Sequence, residues 1–195
     1  SGFFASACPP AGAASAAALL PRCIRDAMEI PAFSQNQSLE DVHHVVILLQ
    51  ENRGFDHYFG TMRGVRGFGD RFTIPVAGAP SVFHQRAGDD TLLPYHLDST
   101  VGNAQRVDGT PHSYFDGGLA YDHGRLGKWP SYKSTRSMGY YTEQELPFQF
   151  ALAEAFTVCD AYFCGVHSST NPNRLMAFTG TIDPSGEGGG PATDN

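Results

Sequence analysis

The chain lacks long apolar runs, an excess of basic residues and a rich supply of cysteine. Across its 195 residues no stretch approaches the ~20 apolar residues of a membrane span, so we expect no transmembrane segment. Its 13 Lys and Arg are outnumbered by 20 Asp and Glu, which gives a formal net charge of −7. A nucleic-acid groove needs the opposite sign, so we expect no nucleic-acid partner.

The four cysteines argue against a structural zinc ribbon, which requires two close cysteine pairs. Cys159 and Cys164 form one such pair, whereas Cys8 and Cys23 lie in the N-terminal stretch. The pair leaves two alternatives open, a local disulfide or two buried thiols, and burial is the one we expect.

The N-terminal residues are small and weakly apolar. Residues 11–20 are mostly Ala and end in two Leu, and residues 30–32 read Ile-Pro-Ala. This composition is typical of the apolar part of an export signal, with an Ala-rich amphipathic helix as the alternative. We expect residues 1–32 to be the remnant of such a signal, and the protein to be periplasmic or extracellular.

Two apolar runs, each followed by polar residues, predict a layered α/β fold. Residues 42–49 are β-branched, apolar and too short for a typical helix, so they predict a buried, parallel central strand. Residues 156–159 predict a second buried strand, and residues 71–74 a short one that ends at a proline. Open α/β sheets build their sites at the carboxyl ends of such strands.

Two helices are expected in the second half of the chain. The first covers residues 142–156, with Thr142 as N-cap and Glu145 at the third helical position. Its alternative start is Leu146, because a proline follows there and fits a first turn. The second helix covers residues 174–179, after a polar loop.

Polar residues after the two predicted strands are the candidates for chemistry. Glu51 and Asn52 pair a carboxylate with a neutral amide, a combination that suits a hard divalent cation, although many such pairs are solvated loop residues. Residues 168–174 offer hydroxyls, amides and Arg174 ahead of a helix, where phosphate is favoured and Arg174 could clamp its oxygens. The alternative for this segment is ordinary N-capping.

Several aromatic residues lie in the loop-rich stretch between residues 81 and 140. Four of them, Tyr114, Tyr121, Trp129 and Tyr132, could surround a quaternary ammonium group through cation–π attraction. The alternative is a small satellite core beneath a long loop.

Residues 44–60 closely resemble the opening motif of the bacterial phosphoesterase family, which contains phosphocholine-preferring phospholipases C and related acid phosphatases. Shorter matches follow in order along the chain, at residues 63–70, 103–106, 110–113, 137–140, 146–148, 159–162 and 170–174. The resemblance extends from about residue 42 to residue 184. The leader is similar to the end of a twin-arginine export signal.

The resemblance implies an alkaline-phosphatase-like α/β fold, a layered sheet with helices on both faces that is incomplete in this chain. It also implies a hydroxyl nucleophile at a divalent metal ion of unknown identity. Glu51 and Asn52 resemble the first metal ligands, and Thr170 occupies the nucleophile position at the same metal. His112 resembles a histidine that contacts the substrate phosphate, and we assign Asn171 and Arg174 to substrate binding beside it.

The implied reaction is release of phosphocholine from phosphatidylcholine at a membrane surface by a threonine nucleophile. The alternatives are an acid phosphatase acting on soluble monoesters, and a non-catalytic product that binds phosphate or choline. Members of the family are longer, with further metal carboxylates and histidines downstream. We therefore expect residues 33–195 to be the N-terminal part of a catalytic domain, marginally stable and inactive alone. We also expect Glu51 and Asn52 to lie within a few ångströms of Thr170, because both segments follow predicted parallel strands.

Overall fold

The computed structural model describes residue 22, residues 38–76 and residues 78–195. The predicted export signal in residues 1–32 lies outside the described residues, apart from residue 22. The chain divides into two compact units, one formed by Ser1–Gln50 with Leu146–Val158 and the other by Glu51–Glu145 with Cys159–Asn195. None of the helices in the described ranges is both long enough and apolar enough to cross a membrane.

The described helices are short. They are α1 (Phe55–Phe59), α2 (Tyr114–Tyr121), α3 (Trp129–Lys133), α4 (Pro147–Ala155) and α5 (Thr170–Thr179), with short 3-10 helices at Leu39–Asp41, Asp122–Gly124 and Thr135–Met138. The strands are β1 (Gln85–Ala87), β2 (Asp90–Leu92), β3 (Tyr95–His96) and β4 (Gly139–Tyr140). The protein is therefore a mixed α/β structure, as predicted, with much of its length in loops.

The first unit contains α4 and the apolar run at residues 42–49. The prediction of a buried central strand there is wrong, because the run has no strand partner in the described chain and its side chains are exposed, with Val46 92% exposed. The apolar sequence indicates that these residues favour burial. A buried strand also requires a neighbouring strand, which a local sequence pattern cannot predict. Helix α4 begins at Pro147, with Leu146 as N-cap, so the alternative start is the one observed.

The second unit holds two separate two-stranded sheets. Strands β1 and β2 pair antiparallel, and the turn between them places Gly88 at φ +68, a conformation that favours glycine. Strands β3 and β4 pair in parallel, with Tyr95 opposite Gly139. The strands predicted at residues 71–74 and 156–159 are wrong, because both stretches lack ladder partners.

Buried residues of the second unit lie around these sheets and the helices between them. The side chain of Gln85 is buried with its hydrogen bonds satisfied, since its Nε2 donates to the carbonyls of Val82 and Leu126 and its Oε1 accepts from the amide of Trp129. The expected burial of Cys159 and Cys164 is wrong, because both thiols are exposed and neither forms a disulfide in this unit.

A buried carboxylate ties the parallel pair to the turn that follows it. The side chain of Glu145 is only 1% exposed, and its Oε2 lies 2.9 Å from Nε2 of His96. The amide and hydroxyl of Thr142 also donate to Glu145, at 2.9 and 2.8 Å. The predicted Thr142–Glu145 capping contacts therefore form, but they close an isolated turn instead of starting a helix.

This network gives the stability of the protein a defined acid dependence. Burial opposes ionisation of Glu145, but hydrogen bonds from His96, Thr142 and Ser99 outweigh it and lower its pKa from 4.5 to about 2. Because the unfolded state then binds the proton more readily, the stability from Glu145 is present above pH 4.5 and is lost as the pH falls towards 2. Glu145→Gln should cost about 2 kcal/mol at neutral pH and flatten this dependence, as measured by urea unfolding between pH 2 and 7.

The exposed neighbour Glu143 provides the control for this prediction. Glu143→Gln should leave both the stability and its acid dependence within experimental error of the native protein. An equal effect of the two substitutions would contradict the assigned role of Glu145.

Candidate active site

The candidate active site lies in the second unit, where residue 51 meets the first turn of α5. Helix α5 begins at Thr170 after the N-cap Ser169, and Pro172 is fully buried in its first turn. Asn173 folds the preceding loop onto this turn, since its Nδ2 donates to the carbonyls of Ser168 and Ser169 at 3.1 Å each. The loop geometry before Thr170 is therefore fixed by the helix itself.

The carboxylate of Glu51 joins the two segments. The hydroxyl of Thr170 donates to Oε2 of Glu51 at 2.6 Å, across 119 positions of sequence. On the other carboxylate oxygen, Arg174 donates from Nη2 at 2.7 Å and from Nε at 3.3 Å. Thr170 and Arg174 lie one helical turn apart on the same face of α5, so one carboxylate can meet both.

These contacts keep Glu51 ionised. The hydrogen bond from Thr170 is the largest cause that lowers its pKa, followed by the hydrogen bond from Arg174, and electrostatic attraction from Arg174 and His112 acts in the same direction. A carboxylate with a lowered pKa is a weak proton acceptor, and it is better suited to attract a cation or to orient the hydroxyl.

Helix α1 anchors the segment that carries Glu51. Burial lowers the pKa of His57 on this helix, and the neutral ring donates from Nδ1 to the carbonyl of Gly139 at 2.6 Å. The carbonyl of His57 in turn accepts from the amide of Tyr141 at 2.9 Å. Two bonds of His57 therefore fix α1 to strand β4 and its continuation, six residues after Glu51.

His112 lies in the loop before α2. Its Nδ1 donates to the carbonyl of Thr110 at 2.9 Å. The other ring nitrogen, Nε2, therefore remains available to form a hydrogen bond with a ligand. The expected proximity of Glu51 to Thr170 is thus confirmed, although the predicted strand that was its reason does not exist.

Asn52 and Asn171 are less engaged. The described hydrogen bonds of both residues come from the backbone: the carbonyl of Asn52 accepts from Arg53 at 3.2 Å, and the amide of Asn171 donates to Asn195 at 2.8 Å. The structure therefore brings Glu51, Thr170 and Arg174 into direct contact, and it assigns no side-chain contact to the two asparagines.

The residues of the site offer the types of ligand atom that a hard divalent cation prefers. The carboxylate of Glu51, the hydroxyl of Thr170 and the amide of Asn52 are all oxygen donors of the sort such ions prefer. Within residues 38–76 and 78–195, no three His, Cys, Asp or Glu residues gather as a metal-binding cluster. The site in this chain thus supplies one carboxylate and neutral oxygens.

A close backbone contact sets the position of the Thr170 loop, and sequence reasoning missed it. A Cβ atom at Gly117, in the middle of α2, would lie 2.8 Å from the carbonyl oxygen of His167. On the same helix, Tyr121 packs its ring 4.7 Å from that of His167. Only the Ser113–Asp116 spacing, typical of a capping box, could have indicated this helix from sequence.

The candidate active site lies within a part of the chain that is similar to known proteins. The model of the phosphoesterase family matches residues 42–195. The chain belongs to the phosphoesterase family. Every residue of the candidate active site, from Glu51 to Arg174, lies inside the part that matches this family.

Named relatives of this phosphoesterase-family chain include bacterial phospholipases C. It is 54% identical to the non-hemolytic phospholipase C of Pseudomonas aeruginosa over 94% of its own length and 27% of the relative. The non-hemolytic phospholipase C of Burkholderia pseudomallei is 46% identical, over 95% of this chain and 27% of the relative. The hemolytic phospholipase C of Pseudomonas aeruginosa is 39% identical, over 87% and 23%. The chain thus spans about a quarter of the length of these relatives.

The contact between α2 and His167 predicts opposite effects for two adjacent glycines of this phosphoesterase-family chain. Gly117→Ala should lower the free energy of unfolding by about 1–3 kcal/mol, because backbone must move to admit the methyl group. Gly118→Ala should raise it by about 0.5–1 kcal/mol, because nothing lies within 4 Å and alanine favours the helix. Urea unfolding measures both; equal effects of the two changes would show that α2 does not fix the loop.

Proposed function

We propose that this protein carries the nucleophile-bearing part of a phospholipase C-type phosphoric ester hydrolase. The observation that carries the proposal is the hydrogen bond from Thr170 to Glu51, at 2.6 Å, inside the part of the chain that matches the phosphoesterase family. The phospholipase C names of the relatives support a phospholipid substrate. We propose phosphatidylcholine as that substrate and phosphocholine as the product, because the family that the sequence resembles contains phosphocholine-preferring members.

The surroundings of the three neighbouring hydroxyls favour Thr170 as the nucleophile. Ser168 donates its hydroxyl to the carbonyl of Thr193, and the side chain of Ser169 is buried, with only 6% of the residue exposed. Thr170 stands at the first position of α5, where backbone N–H groups and the helix dipole favour a phosphate group. Its hydroxyl proton is held by Glu51, which leaves an Oγ lone pair to face phosphorus.

In the proposed reaction, Oγ of Thr170 attacks phosphorus and the bond to the diacylglycerol oxygen breaks. The diacylglycerol oxygen takes the electron pair and the proton released by the Thr170 hydroxyl. Water then cleaves the phosphothreonine, which returns a proton to Oγ of Thr170 and releases phosphocholine. His112 and Arg174 bind oxygens of the phosphoryl group, Arg174 by exchanging its Glu51 contact for substrate, and Asn171 lies beside them.

Glu51, Asn52 and Thr170 would hold the divalent metal ion that we propose as cofactor. When bound, such an ion neutralises negative charge at phosphorus and lowers the pKa of the nucleophilic hydroxyl. The support for this cofactor is the oxygen character of the donors and the ionised state of Glu51.

We also propose that this chain contributes to an alkaline-phosphatase-like layered sheet, with helices on both faces. The support is the exposure of five consecutive apolar side chains, Val45 to Leu49, since an apolar strip of this kind needs a cover. Export to the periplasm or the cell exterior remains our proposal for localisation, on the composition of residues 11–32.

The substrate proposal is tested on the longest protein that carries this chain and, in parallel, on residues 33–195 alone. We expect release of phosphocholine from phosphatidylcholine vesicles by the longer protein, slower release from phosphatidylethanolamine, and loss of both on chelation of divalent ions. Turnover restricted to a soluble monoester such as p-nitrophenyl phosphate would instead identify an acid phosphatase.

The choice of nucleophile gives a separate prediction. Thr170→Val keeps the side-chain shape but removes the hydroxyl, so kcat should fall by about 10³-fold or more with unchanged folding. Thr170→Ser should keep appreciable activity, because the hydroxyl remains. Ser168→Ala is the matched control and should remain active. If Thr170→Val were active and Ser168→Ala inactive, the nucleophile would be Ser168 and the assignment to Thr170 would be wrong.

A further inference from the structure

A part-buried ion pair forms hydrogen bonds to the residues on either side of His112. Lys133, the last residue of α3, is only 8% exposed and donates from Nζ to the carboxylate of Asp116 on α2. The same ammonium donates to the carbonyl of Pro111 at 2.9 Å. Asp116 in turn accepts from the amide and the hydroxyl of Ser113, at 2.9 and 2.6 Å.

These bonds hold the backbone on both sides of His112. The residue before it is held through its carbonyl by Lys133, and the residue after it is held through its amide by Asp116. The ring itself is fixed by the bond from Nδ1 to Thr110, so neither the backbone nor the ring is left to rotate freely.

We propose that Lys133 and Asp116 are positioning residues that hold the loop of His112 in place for phosphate binding, an inference that rests on the proposed function. A buried pair is a costly way to gain stability, because desolvation offsets most of its attraction. It does fix geometry, since removing either partner leaves the other unpaired and frees the loop. The loop that the pair holds carries one titratable side chain, because His112 is the only titratable residue between Gly109 and Ser113.

The chain offers a matched control pair. Lys128 donates to Asp122 at 3.0 Å, also between the ends of α2 and α3, but neither residue bonds to residues 110–113. Lys133→Met and Lys128→Met therefore remove the same charge from the same region, and they differ in whether the loop of His112 loses a hydrogen bond.

The first arm of the test measures the loop without any activity. Amide hydrogen exchange of residues 110–116 should accelerate at least tenfold in Lys133→Met, while exchange in α5 and in Lys128→Met stays as in the native protein. Unchanged exchange at residues 110–116 would overturn the proposal, and so would an equal acceleration throughout the chain.

The second arm asks whether Lys133 acts through His112. We expect Lys133→Met to lower kcat/KM about 10- to 100-fold and His112→Ala about 100-fold, and the double variant to be no worse than His112→Ala alone. Lys128→Met should stay within about twofold. Multiplicative losses in the double variant would assign Lys133 a general structural role and overturn the proposal.

Two provisions keep the test decisive. If Lys133→Met does not fold, Ser113→Ala removes only the hydroxyl donor to Asp116 and should give a smaller loss with the same dependence on His112. If the native protein hydrolyses no phosphoric ester, the proposed function fails by itself. The same set of variants is then compared through the dissociation constant of inorganic phosphate, where additive losses overturn the positioning role.

Discussion

The backbone of helix α2 passes so close to the carbonyl of His167 that a side chain larger than hydrogen at Gly117 has no room. This one contact links the two halves of the candidate active site. The N-terminal end of α2 carries the loop of His112, and three residues beyond His167 the chain reaches Thr170. A rigid helix with a fixed neighbour at its middle sets the distance between those two groups, and the carboxylate of Glu51 is then placed by its own bonds to α5.

The identity of the site residues could be predicted from the sequence, but the structural elements that bring them together could not. Glu51, Thr170 and Arg174 carry recognisable donor and acceptor types, and their neighbourhood follows from residue identity together with a family resemblance. Their meeting was expected from parallel strands, yet it arises from a helix N-terminus and an extended segment. The roles of Asn52 and Asn171 stay predictions, since the described bonds of both come from the backbone.

The features that sequence reasoning missed or mistook all depend on partners distant in the chain. Whether residues 42–49 become a strand is decided by a neighbouring strand, about which local periodicity says nothing. Lys133 carries no local signal of its contact with Asp116, and Cys159 and Cys164 were assigned by average burial of cysteine instead of by their surroundings. Thr142 and Glu145 show the converse: their local bonds form as predicted, but the helix starts later, at the proline.

The parallel pairing of β3 with β4 has a consequence for how the second unit folds. Tyr95 and Gly139 are 44 positions apart, and the intervening chain contains the loop of His112 and the packed helices α2 and α3. Joining the two strands requires closing that whole loop, whereas α2 and α3 meet through short-range contacts. Helices α2 and α3 should therefore become ordered early in folding, before strands β3 and β4 pair. His112 is then already in position when Glu145 forms its hydrogen bonds with His96 and Thr142.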